Sequence, residues 1–221
     1  MPEQQPVRKR QRALSADEIV RVAVRLARSD GVEAVSMRRI GEELGASPMA
    51  VYRHVTDRED LLIRMLDALA SRVDKPVTEG APRERIARMM WTMHDGFRDD
   101  PWVVRVLAHE GLASPRILPM IEAVFQALTD AGFDPATSRS IYNLLFQFLY
   151  GETLMSHFDR LSTYSRRMVE AADAATYPAL IAAVGTERHE TPEYFEANLT
   201  RVLDGIFGRD VENVDQAPTD R

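Results

Sequence analysis

The chain of 221 residues contains no cysteine. That one absence removes disulfide scaffolds, zinc ribbons, thiolate nucleophiles and Fe–S clusters. No apolar run approaches the about 18 residues of a membrane span. The opening MPEQQPVRKRQR also lacks the hydrophobic core of a secretion signal. A cytoplasmic protein with no membrane partner is expected. Lysine is nearly missing: with only Lys9 and Lys75, arginine carries almost all of the positive charge. Alternating β-type patterning is not sustained anywhere, and neither a Gly-rich phosphate loop nor a nucleophile elbow occurs. Asp99-Asp100 stands alone without an aspartate-rich repeat, and Glu152 and His157 do not share a helix face well. No catalytic residue, metal ligand or cofactor is therefore expected.

What is present is 45% hydrophobic and 28% charged residues, the balance of a globular protein, in a length that suits one large or two small domains. The net charge of −6 hides an asymmetry. Residues 1–60 hold 11 basic and 10 acidic side chains, the remainder 17 and 24. Residues 1–12 set Arg8, Lys9, Arg10 and Arg12 against Glu3 alone. Screening limits each charge to about 8–10 Å, so a basic front can bind an anion although the whole chain is acidic.

Helical spacing recurs throughout, and the fold class is all-α. A polar, Pro-containing arm covers 1–14. Ser15-Ala16-Asp17-Glu18 reads as a capping box ahead of the stripe Ile19, Val22, Ala23 and Leu26, and Gly31 as a left-handed stop, giving a helix over 15–30. Ser36 caps a second helix ending at Gly45. Ser47-Pro48 opens a third, which runs to about His54. Thr56-Asp57-Arg58-Glu59 reads as a further capping box, opening a helix that carries Leu62, Met65, Leu66 and Leu69. The Pro/Gly stretch Lys75-Pro76 to Ala81-Pro82 is the best boundary. The expected division is an arm (1–14), a three-helix unit (15–60, with a linking helix to about 75), a larger helical domain (82–208) and a polar tail (209–221). In the larger domain, helices are expected around Ile86–Phe97, from Trp102 to about His109, around Ile117–Leu128, over 135–158, about 165–175 and 192–207.

The informative stretch is SMRRIGEELGASPMAVYRHV, Ser36–Val55. Ile40 and Leu44 face inward from its first helix, Val51 and Val55 from its second. Gly41 stands where the second helix must approach closely, and Gly45 in the turn, where a positive φ is cheap for glycine. That spacing locks a helix-turn-helix; an ordinary αα-corner has the same shape. The outward side separates the two. From Ser47 to His54 there is no acidic residue, but hydroxyls, a guanidinium, an imidazole and an apolar Met49, which suit phosphate oxygens, guanine edges and thymine methyls. Arg38 and Arg39 add charge at the start of the preceding helix. Glu42 and Glu43 are expected to lie away from the DNA.

These residues resemble the tetracycline-repressor (TetR) family of one-component transcriptional regulators. The matching run is Leu14-Ser15…Ile19…Ala23…Leu26-Ala27…Gly31, then Val35-Ser36-Met37-Arg38…Ile40…Leu44-Gly45…Met49…Val51-Tyr52-Arg53-His54-Val55, then Arg58-Glu59-Asp60-Leu61-Leu62. Later, Asp130-Ala-Gly-Phe133, Tyr177-Pro-Ala-Leu180, Phe195 and Leu203-Asp-Gly205 are similar to the back domain of the tetracycline-binding branch. The resemblance implies an N-terminal helix-turn-helix domain and a larger ligand-binding and dimerisation domain. It places Arg38 at a base-contacting position. Ser36, Tyr52, His54 and Arg58 fall at phosphate-contacting positions, and Pro48, Met49, Ala50 and Arg53 face the major groove. Ser47 and Arg39 complete the expected DNA surface. Pro48, Met49 and Ala50 depart from the pattern by offering few hydrogen bonds, so base readout leans on Arg38, Arg53 and contacts to thymine methyls.

One such module makes too few contacts for tight binding. Two related by a twofold axis read a palindrome, with recognition helices about 34–36 Å apart. A homodimer on double-stranded operator DNA is therefore expected, built from the long helix 135–158 and the last helix 192–207. The back domain offers Met90, Met93, Phe97, Trp102, Phe125, Tyr142 and Phe146 as candidate walls for a small, largely apolar effector. His94, His109, Asn143 and Gln147 are candidate polar contacts; a core simply packed with methionine fits the same residues. The magnesium-ligand pattern of the tetracycline-binding branch is not found. The expected function is repression by occupancy, released by the effector. A ligand-independent or architectural DNA-binding protein is the alternative.

Overall fold

The computed structural model describes residues 14–73, 75–156, 163–184 and 192–208. The basic arm up to Ala13 and the tail after Gly208 lie outside the described residues, as does His157. Among the described residues, regular structure is helical throughout and no strand occurs.

Local chemistry sets the first four helices. Helix α1 (Ala16–Asp30) starts where the Ser15 hydroxyl accepts the Glu18 N–H at 3.2 Å, with Asp17 and Glu18 at the positive end of the helix. Ile19, Val22, Ala23 and Leu26 are buried as one stripe. Gly31 ends α1 with φ +86 and ψ 159. That is the extended mirror conformation, not the left-handed helical cap expected, and the chain leaves straight into a 3-10 turn, Val32–Ala34. Helix α2 (Met37–Leu44) is capped by Ser36 and stopped by Gly45 in the left-handed region. Helix α3 (Pro48–Tyr52) starts as the Ser47-Pro48 pair dictates, but is only five residues long. Arg53 and His54 lie in the turn that follows, because the His54 N–H reaches back three residues to Val51. Helix α4 (Arg58–Ala70) also departs from expectation. Its cap is Asp57, which accepts the Asp60 N–H at 2.8 Å, while Asp60 in turn accepts the Thr56 N–H at 2.8 Å. The cap is one residue along from Thr56, and Asp60 takes the part assigned to Glu59 by accepting the Thr56 N–H, one residue before the cap.

The longer helices follow. Helix α5 (Pro82–Arg98) buries Met89, Met90 and Met93. Helix α6 (Trp102–Arg105) gives way to one π-helical turn, Val106–Glu110, where a single short helix was expected, and Gly111 in the left-handed region closes it. Helix α7 (Leu118–Asp130) and helix α8 (Pro135–Ser156) are separated by Gly132, and Asp134 caps α8 through the N–H groups of Ala136 and Thr137. Helix α9 (Thr163–Glu170) is shorter than the expected 165–175 stretch and starts earlier. Helix α10 (Pro178–Val184) was not expected; Asp173 prepares it by accepting the N–H groups of Ala175 and Thr176. Helix α11 (Pro192–Phe207) has the expected bounds.

Two compact units result. One holds the described residues up to Arg72 together with Arg105–Pro115; the other holds Val73–Val104 and the described residues from Arg116 onward. In the first unit α1, α2 and α4 enclose Ile19, Ile40, Val51, Leu61, Leu62 and Met65, all fully buried. In the second, α5 packs on α7, α8 and α11. There Arg85, itself buried, bonds Asp130 at 2.5 Å, and Arg83 bonds Asp204 at the same distance.

Candidate nucleic-acid interface and ligand site

The angle between α2 and α3 is set by backbone meeting backbone. A Cβ added at Gly41 would lie 2.7 Å from the Ala46 carbonyl oxygen and 3.4 Å from the Pro48 nitrogen. The Ala46 N–H donates to the Gly41 carbonyl at 2.8 Å across this contact. Ser47 then accepts the Ala50 N–H at 3.3 Å, starting α3 in a fixed direction. Val51 and Val55 are buried and hold α3 from beneath. From α2 the inward residues are Met37 and Ile40; Leu44, expected inward, is only half-buried.

Anchored in this way, α3 turns its other side out. Met49 is 69% exposed and Tyr52 47%. Among the described residues of this unit, these two are the exposed large apolar side chains. Ser47, Pro48 and Arg53 are exposed, while Ala50 and His54 are half-buried. Arg53 has no carboxylate within ion-pair distance among the described residues.

The other expected DNA-facing arginines each hold a partner. Arg38 pairs with Glu42 at 2.8 Å, Arg39 with Asp30, and Arg58 with Glu110 at 2.7 Å. Glu43 pairs with Arg25 at 2.7 Å. Glu42 thus sits on Arg38 itself, one helical turn away, where sequence reasoning expected it to lie clear of the DNA surface. All of these pairs are solvent-exposed. Such pairs contribute about 0–1 kcal/mol each, so a phosphate or base edge can replace the carboxylate. Arg105 pairs with Glu33, and Ser114 bonds Asp67. These ties join the segment Arg105–Pro115 to the helix-turn-helix unit. Ion pairs 52 and 72 residues apart in the chain leave no trace in local sequence patterns.

The candidate ligand residues separate into groups. Four come together as an aromatic ladder: Phe125 stacks on Tyr142 with ring centroids 4.9 Å apart, Tyr142 meets Phe146 at 4.4 Å, and Phe97 joins through Tyr150 at 6.4 Å. Tyr150 lies 5.8 Å from Phe146. Sequence reasoning missed Tyr150, although 142, 146 and 150 repeat every helical turn. Burial pushes the Tyr142 hydroxyl up and that of Tyr150 up to about 12, with Tyr142 adding to the latter. Both hydroxyls therefore stay protonated and able to donate.

The remaining candidates make no ring contact with the ladder among the described residues. Met90 and Met93 are fully buried core. Trp102 is buried, and its indole N–H is spent on Asp100 at 2.6 Å. His109 is exposed on the π-helical turn, within the helix-turn-helix unit. Asn143 and Gln147 are exposed on α8, next in the chain to Tyr142 and Phe146. His94 belongs to a second cluster. It stacks on Phe195 at 3.9 Å with the edge of Trp91 5.5 Å away, and its Nδ1 is buried without a hydrogen-bond partner among the described residues.

Burial pushes the His94 imidazole below its ordinary value; Asp95 opposes this and Arg98 adds to it. The folded state therefore favours neutral His94, while the unfolded chain takes up a proton near pH 6.5. Stability contributed by neutral burial is present above that pH and is lost as pH falls below it. Thermal melts of His94→Gln are expected to lose part of the wild-type decline between pH 7 and 5. Parallel declines would place the effect on another group.

Two family models match the chain. The model for bacterial regulatory proteins of the tetR family matches residues 19–65, and that for the tetracyclin repressor-like C-terminal domain matches residues 77–209. An HTH-type transcriptional regulator of Saccharopolyspora erythraea is 30% identical over 199 residues, covering 87% of this chain and 84% of the relative. Two crystal structures below 25% identity share the fold. One is the Streptomyces coelicolor TetR family protein ActR in complex with actinorhodin, at 22% identity and TM-score 0.72, covering 88% of this chain and 96% of ActR. The other is BioQ with its double-stranded DNA operator, at 19% identity and TM-score 0.63, covering 89% of this chain and 99% of BioQ.

Proposed function

The chain belongs to the tetR family of bacterial regulatory proteins, and from that premise we propose that it binds palindromic operator DNA as a homodimer, represses by occupancy and is released by a small, largely apolar effector. The observation that carries the DNA half is the placement of Met49, Tyr52 and Arg53. Among the described residues, the unit's exposed large apolar side chains and an arginine without a carboxylate partner cluster on one five-residue helix and the turn after it. An ordinary αα-corner gives no reason for apolar groups to collect there. Thymine methyls and guanine edges in a major groove do. Ser36, Ser47, His54 and the paired Arg38, Arg39 and Arg58 are assigned to the flanking backbone and bases. BioQ, which holds an operator, supports the reading by its fold.

For the effector we assign the ladder of Phe97, Phe125, Tyr142, Phe146 and Tyr150. It offers flat apolar faces and two hydroxyls that donate at neutral pH, which suits a planar molecule with acceptor groups. That ActR binds actinorhodin agrees with this. The chain crosses between the two units three times, after Arg72, Val104 and Pro115, so a rearrangement in one has covalent routes to the other. A coupling of about 1–3 kcal/mol would weaken operator binding roughly 5–150-fold. The test is a selection of duplexes from a random library, followed by titration with planar aromatic compounds. A palindromic winner whose affinity falls as a compound raises the melting temperature is the expected result. Binding without sequence preference would favour an architectural protein, and a palindrome that no compound releases would favour a ligand-independent one.

The dimer is assigned to α8 and α11. On α8, Leu144 is 47% exposed, and Gln147, Gly151 and Met155 continue the same exposed line at helical spacing. A Cβ on Gly151 or on Gly205 of α11 would meet nothing within 4 Å among the described residues, which agrees with a partner helix approaching there. Trimming Leu144→Ala removes apolar burial worth about 0.8 kcal/mol per CH₂ in each copy. About half of the three carbon groups lost is still open to a partner, so the two copies together lose about 2.4 kcal/mol, and a dimer dissociation constant raised about 50-fold is expected in sedimentation velocity. An unchanged constant would move the interface off this face.

A further inference from the structure

We infer that Glu110 stands in for a DNA phosphate in the free protein, holding Arg58 and thereby setting how much of its charge an operator backbone can use. The inference rests on the proposed operator binding. Arg58 is the first residue of α4, five positions beyond Arg53, and its Nη1 donates to Glu110 Oε1 at 2.7 Å. A guanidinium presents the same fork of donors to a carboxylate and to a phosphate, so the two compete for one site. Both side chains are about four-tenths exposed, which lets the exchange take place in water without burying a charge.

The pair does not stand alone. Arg105 bonds Glu33 beside it, and the Glu33 carboxyl is held low first by a backbone hydrogen bond, then by Arg105, with Arg58 also contributing. Arg58, Arg105, Glu33 and Glu110 thus form a neutral cluster of two cations and two anions. A phosphate arriving at Arg58 must displace Glu110 and leave that carboxylate nearby without its cation. Glu110 also ends the π-helical turn, on a segment further fixed by the Ser114–Asp67 bond. The backbone that carries Glu110 is therefore held within reach of Arg58.

Full-length wild type, E110Q, E110D, R58Q and the double variant R58Q/E110Q are titrated with the duplex selected above, over about 50–200 mM salt. E110Q is expected to bind about three- to tenfold tighter at the low-salt end. Its plot of log K against log salt should steepen by about one phosphate contact per protomer. E110D, which keeps the charge, should stay near wild type. Added to R58Q, the same Glu110 change should do nothing. The proposal is overturned if E110Q leaves affinity and slope unchanged or weakens binding. It is equally overturned if the gain persists in the R58Q background, since that marks a general loss of negative charge. A wild type that binds no duplex with sequence preference would instead bring down the operator reading, and this inference with it. Melting curves of each variant confirm that the fold is intact.

Discussion

Arg53→Ala is expected to lose operator affinity about 30-fold or more while the helicity and the dimer stay as they are. The side chain is exposed just past α3, so its removal takes nothing from the core. Among the described residues it also has no carboxylate to release first, unlike Arg38 on Glu42, Arg39 on Asp30 and Arg58 on Glu110. A bidentate contact between arginine and a guanine edge discriminates by about 1–3 kcal/mol. A homodimer on a palindrome makes the contact twice, so even the lower figure doubles to about 2 kcal/mol, which is about 30-fold. The loss should be specific. Against duplexes changed at one symmetric base pair, the variant should no longer distinguish the bases that wild type distinguishes, while the salt slope stays nearly constant. Arg38→Ala should cost less, because wild-type Arg38 must first leave Glu42. Anisotropy titrations on matched duplexes measure both. Equal affinity of Arg53→Ala and wild type would remove this turn from the interface.

The contrast between Arg53 and the other arginines also shows how far the sequence could be read. Ser36, Gly45 and the Ser47-Pro48 pair act through their own neighbours three or four residues away, so their roles were legible from spacing. So was the bare outward side of α3, because two valines four residues apart leave only one orientation for the rest. The carboxylates on Arg39 and Arg58 come from Asp30 and from Glu110, and no local period announces them. The same limit explains Trp102. An indole in a helical domain fits a ligand wall or a core equally well, and the deciding fact is that Asp100, buried two residues earlier, accepts its N–H. It explains the split of the ligand candidates too. Periodicity put Met90, Met93, Tyr142 and Phe146 on apolar faces, but which faces meet in a solid core and which in an aromatic ladder is decided by packing between helices. Position 57 outranked 56 as the α4 cap for a smaller reason. Both residue types cap well, and Asp60, three residues after Asp57, offers a carboxylate to the Thr56 N–H that Glu59 was expected to offer.

The contact at Gly41 carries the second large effect. Gly41→Ala places a Cβ 2.7 Å from the Ala46 carbonyl oxygen. The obstacle is backbone, so it cannot rotate away as a side-chain end would; the turn and the start of α3 must move. Overpacking of this kind costs about 1–3 kcal/mol, and each kcal/mol lowers the melting temperature of a unit this size by about 4–8 °C. Gly45→Ala is the control. Its Cβ meets nothing within 4 Å, and only the left-handed backbone at φ +61 resists it, at about 1–2 kcal/mol. The two variants thus lose comparable stability by different routes. In Gly45→Ala the direction of α3 is kept, so the folded molecules should bind operator as wild type does. In Gly41→Ala the direction itself changes, and Met49, Tyr52 and Arg53 move together relative to the groove. Affinity measured at low temperature, where both variants remain folded, should fall by at least about tenfold for Gly41→Ala, since the loss of one bidentate contact is enough for that. Should both variants bind alike, the angle between α2 and α3 is not what aims the recognition residues, and Gly41 serves only to let the two helices pack.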